Sequence, residues 1–259
     1  MLYDRDYMRE PETHPLRSAT MILLMANVAV FILQCIVSAY WVGLQAWVPK
    51  YLMLSSMVFT SGFVWQTVTF QFLHFSVGSS DIGFLHLLGN CLGLFWLGRT
   101  LEIELGRKRL FILYLGSGIL GGLLQASLGW AMPTYFGAPT QGASAGVCGL
   151  LAAFATRDPR APISFLLAFV IPVNLYAGTL LLISLGLAAF FVLVPVWPGV
   201  AHAAHLGGLI GGILFIRLGL DSFDFNFPSL RARRVKRELV ATSVGKQKGP
   251  WRPGTASAG

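Results

Sequence analysis

Six long apolar segments constrain this chain more than any other feature of its sequence. They cover Thr20–Tyr40, Phe84–Leu101, Leu110–Trp130, Ala143–Thr156, Leu175–Val194 and Val200–Leu218. A helix needs about 20 predominantly apolar residues to cross the hydrocarbon core of a bilayer. The fourth segment is shorter and rich in glycine, so neighbouring helices must cover it. The pattern predicts an all-α polytopic membrane protein that folds as a bundle of six transmembrane helices.

The low charge content supports a membrane protein. Asp, Glu, Lys and Arg make up 12% of the chain, whereas about 25% is usual in a soluble domain. Ionised groups are costly on a surface that faces lipid. The 29 glycines suit helices that pack closely in a bilayer.

Cys35, Cys91 and Cys148 lie in apolar segments. We interpret them as small buried residues, not as a disulfide framework or a metal site.

The basic residues predict the orientation of the bundle. With the N-terminus in the cytoplasm, 18 of the 19 Lys and Arg residues fall on the inner side and Lys50 alone falls outside. Cytoplasmic connections of membrane proteins carry such an excess of basic residues. We therefore expect a cytoplasmic segment at residues 1–19, the membrane domain at residues 20–218, and a basic, largely disordered cytoplasmic tail at residues 219–259.

The excess of basic residues also bears on binding partners. The net charge of +8 sits mostly in the predicted tail, where the cluster Arg231–Arg237 suits anionic lipid headgroups. Nucleic-acid binding is not expected. The connection from Trp41 to Gly83 is long and apolar, and it carries several Trp and Tyr residues that favour the headgroup level. We interpret it as lying partly in the outer interface.

Polar side chains occur at one level of the predicted bundle. His86 and Asn90 lie in the second segment, Ser144 opens the fourth, and His202 and His205 open the sixth. These three segments run from outside to inside, and a helix rises 1.5 Å per residue. The side chains are therefore expected together in the outer leaflet. Polar groups at this depth are costly and tend to mark function.

Ser144 and His205 are the candidate catalytic pair. The patterns Gly207/Gly211 and Gly208/Gly212 would let the sixth helix contact the fourth. That contact could bring an imidazole within reach of the Ser144 hydroxyl, which activation of a serine requires. None of the acidic residues lies within an apolar segment at the depth of Ser144. The sequence therefore predicts a Ser-His dyad, in which the histidine acts as general base and then as general acid.

Three groups are candidates for binding the oxyanion that forms during acyl transfer. They are the Asn90 amide, the His86 ring and the backbone N–H of Ser144. We expect the Asn90 amide to point at the same pocket as Ser144. A His205 ring nitrogen should lie within about 3.5 Å of the Ser144 hydroxyl, and no carboxylate should bind His205. We interpret His74 and His202 as structural.

The motifs resemble those of the rhomboid family of intramembrane serine proteases. The family's His-x-x-x-Asn motif matches residues 86–90, and Gly-x-Ser-Gly matches Gly142-Ala143-Ser144 but departs at Ala145. The Ala-His pair followed by a glycine-rich stretch matches residues 204–208. The similarity covers roughly residues 20–218. The family's Trp-Arg pair in the first outer loop is missing, so the anchoring of this loop is expected to differ.

This resemblance implies a function, a location and a set of partners. It implies an intramembrane serine endopeptidase of the bacterial inner membrane that cleaves membrane-anchored proteins near the outer membrane face and uses no metal or organic cofactor. The alternative is a catalytically silent rhomboid-like protein that binds membrane-protein clients. Silent relatives lack the serine or the histidine, and this chain retains both. A transporter fits less well, because the polar group stays in one leaflet.

Overall fold

The computed structural model describes residues 18–75, 83–167, 171–195 and 199–223. In chain order its elements are α1 (Ala19–Tyr40), α2 (Val42–Gln45), α3 (Trp47–Tyr51), α4 (Met57–Thr60), α5 (Gln66–Thr69), α6 (Gly83–Leu105), α7 (Arg107–Ala131), α8 (Pro133–Phe136), α9 (Ser144–Arg157), β1 (Pro162–Leu167), β2 (Ile171–Tyr176), α10 (Ala177–Leu193) and α11 (His202–Arg217). The predictions for residues 1–17 and for the tail beyond residue 223 lie outside the described residues.

The long helices α1, α6, α7, α9, α10 and α11 coincide with the six apolar segments to within four residues at either end. Two of them, α1 and α7, are long and apolar enough to span a membrane by their length and composition, and α9 and α10 are shorter apolar helices. The fold is mostly helical, as predicted. The count of six membrane spans stays a prediction.

The structure departs from the all-α prediction between α9 and α10. There β1 and β2 pair as an antiparallel hairpin, from Pro162 opposite Tyr176 to Leu167 opposite Ile171. The fifth apolar segment was predicted to begin at Leu175, but this residue belongs to β2 and α10 begins two residues later. Proline is unfavourable inside a helix, and the branched and aromatic residues of this segment favour extended backbone.

Close backbone contacts hold α11 between α7 and α9. A Cβ atom on Gly208 would overlap the carbonyl oxygen of Ala145 in α9, and a Cβ atom on Gly212 would overlap that of Gly149. Gly207 faces α7 instead, where a Cβ atom would lie 2.7 Å from the Cα of Gly121. We predicted that both glycine patterns would face the fourth segment. One does, and the other packs on the third.

The carboxylate of Glu102, near the end of α6, binds the start of α1. It accepts hydrogen bonds from the backbone N–H groups of Ala19 (2.6 Å) and Thr20 (3.0 Å). The hydroxyls of Ser18 (2.6 Å) and Thr20 (2.7 Å) also donate to it. Because the first N–H groups of a helix have no acceptor within the helix, this single side chain both caps α1 and ties it to α6.

We therefore expect Glu102→Ala to destabilise the protein by on the order of 3 kcal/mol, because it leaves two backbone donors without their acceptor. Thermal unfolding of the purified protein in detergent measures this as a lower Tm. Glu104→Ala is the matched control, since it removes an exposed ion pair with Arg157, which contributes at most about 1 kcal/mol. Equal Tm values for the two variants would contradict the structural role of Glu102.

Candidate active site

The residue two positions before α9, Gly142, has a backbone conformation that requires glycine. Gly142 has a φ of 135°, a conformation that residues with a Cβ atom rarely adopt, and its N–H donates to the carbonyl of Phe70 (2.9 Å). A Cβ atom on Gly142 would lie 2.8 Å from Cε1 of His86 and 3.7 Å from Oγ of Ser144. The glycine therefore lets α9 begin with the Ser144 side chain beside the His86 ring.

Ser144 and His205 are in hydrogen-bond contact. Nε2 of His205 lies 2.8 Å from Oγ of Ser144, well within the distance of about 3.5 Å that we expected. The serine is the first residue of α9 and the histidine lies in the first turn of α11. The backbone contact between Gly208 and Ala145 lies one helical turn further along, so the packing of the two helices sets this distance.

The described carboxylates all bind elsewhere. Glu102 caps α1, and Glu104 and Asp221 both pair with Arg157. Asp158 accepts from the backbone N–H of Arg160. Among the residues that the structure describes, the His205 ring bonds to Ser144 and lies near a second imidazole, with its centroid 6.2 Å from that of His202. The arrangement is that of a serine with one basic partner.

The Asn90 amide has two hydrogen-bond partners in the structure. Its nitrogen Nδ2 lies 3.0 Å from the backbone carbonyl of His86, one turn earlier in α6, and 3.3 Å from Nε2 of His74. The structure thus directs this amide toward His74 and the His86 carbonyl, and its part in the Ser144 pocket stays a prediction. The His86 ring lies against Gly142, two residues before the serine.

His74 was interpreted as structural, and the structure places it beside the candidate site. Its ring centroid lies 5.3 Å from that of His86, and the residue is fully buried. Burial, and next the neighbouring His86, lower the pKa of His74 to about 4, so the ring is neutral at physiological pH. The sequence signal for it was weak, since it is a single histidine before α6.

The Gln34 side chain in α1 fixes the backbone of His74. Its amide Nε2 donates to the His74 carbonyl (3.0 Å), and its Oε1 accepts from the His74 N–H (3.0 Å). Gln34 could not be predicted as part of this site, because nothing in an apolar helix marks one glutamine as the partner of a residue 40 positions later.

A cavity of about 460 Å³ adjoins His74. It lies between α1, the first loop and the residues that precede α9, and its walls include Gln34, Ser38, Met53, His74 and Gln141. The Oε1 atom of Gln141 and the Nδ1 atom of His74 are buried and have no hydrogen-bond partner among the described residues. Buried polar groups of this kind are commonly satisfied by water.

His202 connects α10 to α11. Its ring stacks on that of Phe191 in α10, with centroids 4.5 Å apart and an interplanar angle of 24°. This contact agrees with its interpretation as a structural residue.

Comparison with known proteins gives a consistent match. Residues 61–222 match the family described as the Rhomboid domain. The chain is 32% identical over 206 residues to Rhomboid protein 1, mitochondrial, of Saccharomyces cerevisiae, covering 79% of this chain and 54% of that protein. It is 32% identical over 151 residues to Rhomboid protease GlpG of Pectobacterium atrosepticum, covering 58% of this chain and 47% of that protein.

A third relative is Presenilin-associated rhomboid-like protein A, mitochondrial, of Danio rerio, which is 30% identical over 151 residues, covering 58% of this chain and 36% of that protein. The chain thus spans between about a third and about half of the length of these curated relatives. They include bacterial and mitochondrial proteins.

We expect Gly208→Ala to loosen the candidate site, because the added methyl group overlaps the Ala145 carbonyl and forces α9 and α11 apart. Overpacking of this kind typically costs about 1–3 kcal/mol, which thermal unfolding in detergent measures as a lower Tm. Gly116→Ala in α7 is the control, since a Cβ atom there meets nothing within 4 Å. A Gly208→Ala variant as stable as this control would show that the helix contact is not tight.

Proposed function

The chain belongs to the rhomboid family of integral membrane proteins, and on that premise we propose that it is a serine endopeptidase that cleaves membrane-anchored proteins near the outer membrane face. The observation that carries the proposal is the distance of 2.8 Å between Nε2 of His205 and Oγ of Ser144. A serine hydroxyl is a weak nucleophile until a base accepts its proton, and this contact supplies that base.

The reaction proceeds in two halves. Oγ of Ser144 attacks the scissile carbonyl carbon while Nε2 of His205 takes the hydroxyl proton, which gives a tetrahedral intermediate with a negative oxygen. The imidazolium of His205 then donates its proton to the departing amine as the C–N bond breaks, which leaves an acyl ester on Ser144. A water molecule, deprotonated by His205, hydrolyses the ester and restores the serine.

The negative oxygen of the intermediate needs hydrogen-bond donors. Ser144 is the first residue of α9, so its backbone N–H has no acceptor within the helix. The His86 ring lies against Gly142, close to this N–H in the chain. We assign these two groups and Asn90 to oxyanion binding. Loss of one such donor typically lowers kcat by about 10²–10³.

The membrane topology, the cellular location and the partners are proposed from the sequence. We propose six membrane spans within residues 20–218, with both termini in the cytoplasm of a bacterial cell and the site in the outer leaflet of the inner membrane. The partners are membrane-anchored substrate proteins and the lipid bilayer. A substrate helix must unwind locally to reach Ser144, which favours Gly, Ala or Ser near the cut. The chemistry needs no metal or organic cofactor.

We expect Ser144→Ala and His205→Ala each to abolish cleavage of a single-pass reporter protein by the purified chain in proteoliposomes, because each removes one half of the dyad. The readout is the appearance of the two cleavage fragments on a gel. Ser127→Ala is the matched control, since this serine is exposed on α7 and, among the described residues, binds the Leu123 carbonyl one turn earlier.

Cleavage that persists in Ser144→Ala would refute the mechanism. If wild type cleaves nothing, a serine-directed fluorophosphonate decides between two explanations. Labelling that Ser144→Ala abolishes means that the reporter was unsuitable. The absence of labelling favours the silent protein that binds membrane-protein clients.

A further inference from the structure

The hydrogen bonds of Asn90 determine the tautomer of its histidine neighbour. Nδ2 of Asn90 lies 3.0 Å from the carbonyl oxygen of His86. A carbonyl can only accept, so the atom that faces it is the amide nitrogen, which carries two N–H groups. The second N–H is directed at Nε2 of His74, 3.3 Å away. This ring nitrogen must therefore accept, and the ring carries its proton on Nδ1.

The surroundings of His74 keep its ring in this state. Burial holds it neutral, and only a neutral ring offers an acceptor at Nε2. The Gln34 side chain binds both the N–H and the carbonyl of the His74 backbone, which fixes the residue relative to α1. A residue that is fully buried and held by two side chains from different helices has little freedom to reorient.

We propose that His74 is a positioning residue for the oxyanion side of the active site, and that it acts by holding the Asn90 amide through Nε2. This inference rests on the proposed protease function. Hydrogen bonds link Gln34 to His74 and His74 to Asn90, and we call this chain of contacts the relay. Only its last member, Asn90, approaches the substrate. His74 itself makes no contact with the Ser144–His205 pair.

The relay explains why both donors of Asn90 are occupied before substrate arrives. One N–H bonds to the helix that carries it, and the other to His74 at 3.3 Å, which is longer than a typical N–H hydrogen bond. A negatively charged oxygen forms hydrogen bonds about twice as strong as those between neutral groups. The developing oxyanion therefore competes successfully for this N–H, while the bond to the His86 carbonyl keeps the amide in place.

Steady-state cleavage of the membrane-anchored reporter by the full chain tests the relay. His74→Leu removes the acceptor at similar volume. We expect kcat to fall by about tenfold to a hundredfold, a part of the about 10²–10³ that one oxyanion donor contributes, while KM changes by less than about twofold. His74→Gln places an amide oxygen near the position of Nε2, and we expect it to recover most of the lost kcat.

A double-mutant cycle separates positioning from a purely structural role. If His74 acts through Asn90, the variant His74→Leu/Asn90→Ala loses no more kcat than Asn90→Ala alone, because residues of one network are not additive. Gln66→Leu is the matched control, since Gln66 is another fully buried polar residue of the same loop that binds Ser55 and the Lys50 carbonyl. Its effect should multiply with that of Asn90→Ala.

Several results would overturn the inference. They are wild-type or raised kcat in His74→Leu, a His74→Gln variant no better than His74→Leu, and kcat losses that multiply in the double variant. Failure of the proposed function looks different, since wild type itself would then show no cleavage that depends on Ser144.

If His74→Leu does not fold, ¹⁵N spectra of the histidine rings give a second measurement on the wild-type chain. We expect His74, assigned among the five histidines by its loss in His74→Gln, to show a protonated Nδ1 and an unprotonated Nε2 whose shift changes in Asn90→Ala. A protonated Nε2, or a shift that Asn90→Ala leaves unchanged, would overturn the inference.

Discussion

The contact between the backbones of α9 and α11 is the interaction on which the candidate site depends. Helices in lipid gain little from the hydrophobic effect and associate by close packing. Gly208 and Gly212 allow this packing, because their Cα atoms lie against the carbonyl oxygens of Ala145 and Gly149. The hydrogen bond between Ser144 and His205 lies one turn away. A larger side chain at either glycine would move Ser144 away from His205 without altering either of the two residues.

The other side of the site is held by different physical means. α6 brings His86 to the serine, but the orientation of its Asn90 amide comes from hydrogen bonds to residues outside the close helix contact. Gln34 from α1 holds the loop residue His74, and Glu102 ties the start of α1 to the far end of α6. The contact between Ser144 and His205 thus depends on the steric fit of two helices, and the proposed oxyanion side depends on hydrogen bonds of buried amide groups.

Hydropathy predicted the long helices well, because a continuous apolar stretch of this length has few other solutions in a membrane. It could not predict the hairpin of β1 and β2, since an apolar run has the same composition in a buried strand and in a helix. The order of the motifs predicted which residues meet at Ser144. The link between Gln34 and His74 could not be predicted, because it joins an amide side chain to a backbone 40 residues away.

The lack of a described carboxylate beside His205 has a physical consequence for the proposed mechanism. An acid would orient the imidazole and stabilise its protonated form, but it would also place a permanent charge at membrane depth, which is costly. Here the positions of α10 and α11 orient the ring, with His202 stacked on Phe191 and edge-on to His205. In the proposed mechanism charge appears only during the reaction, as an imidazolium and an oxyanion that form together. Each is the counter-ion of the other, so the site remains neutral before substrate binds and after product leaves.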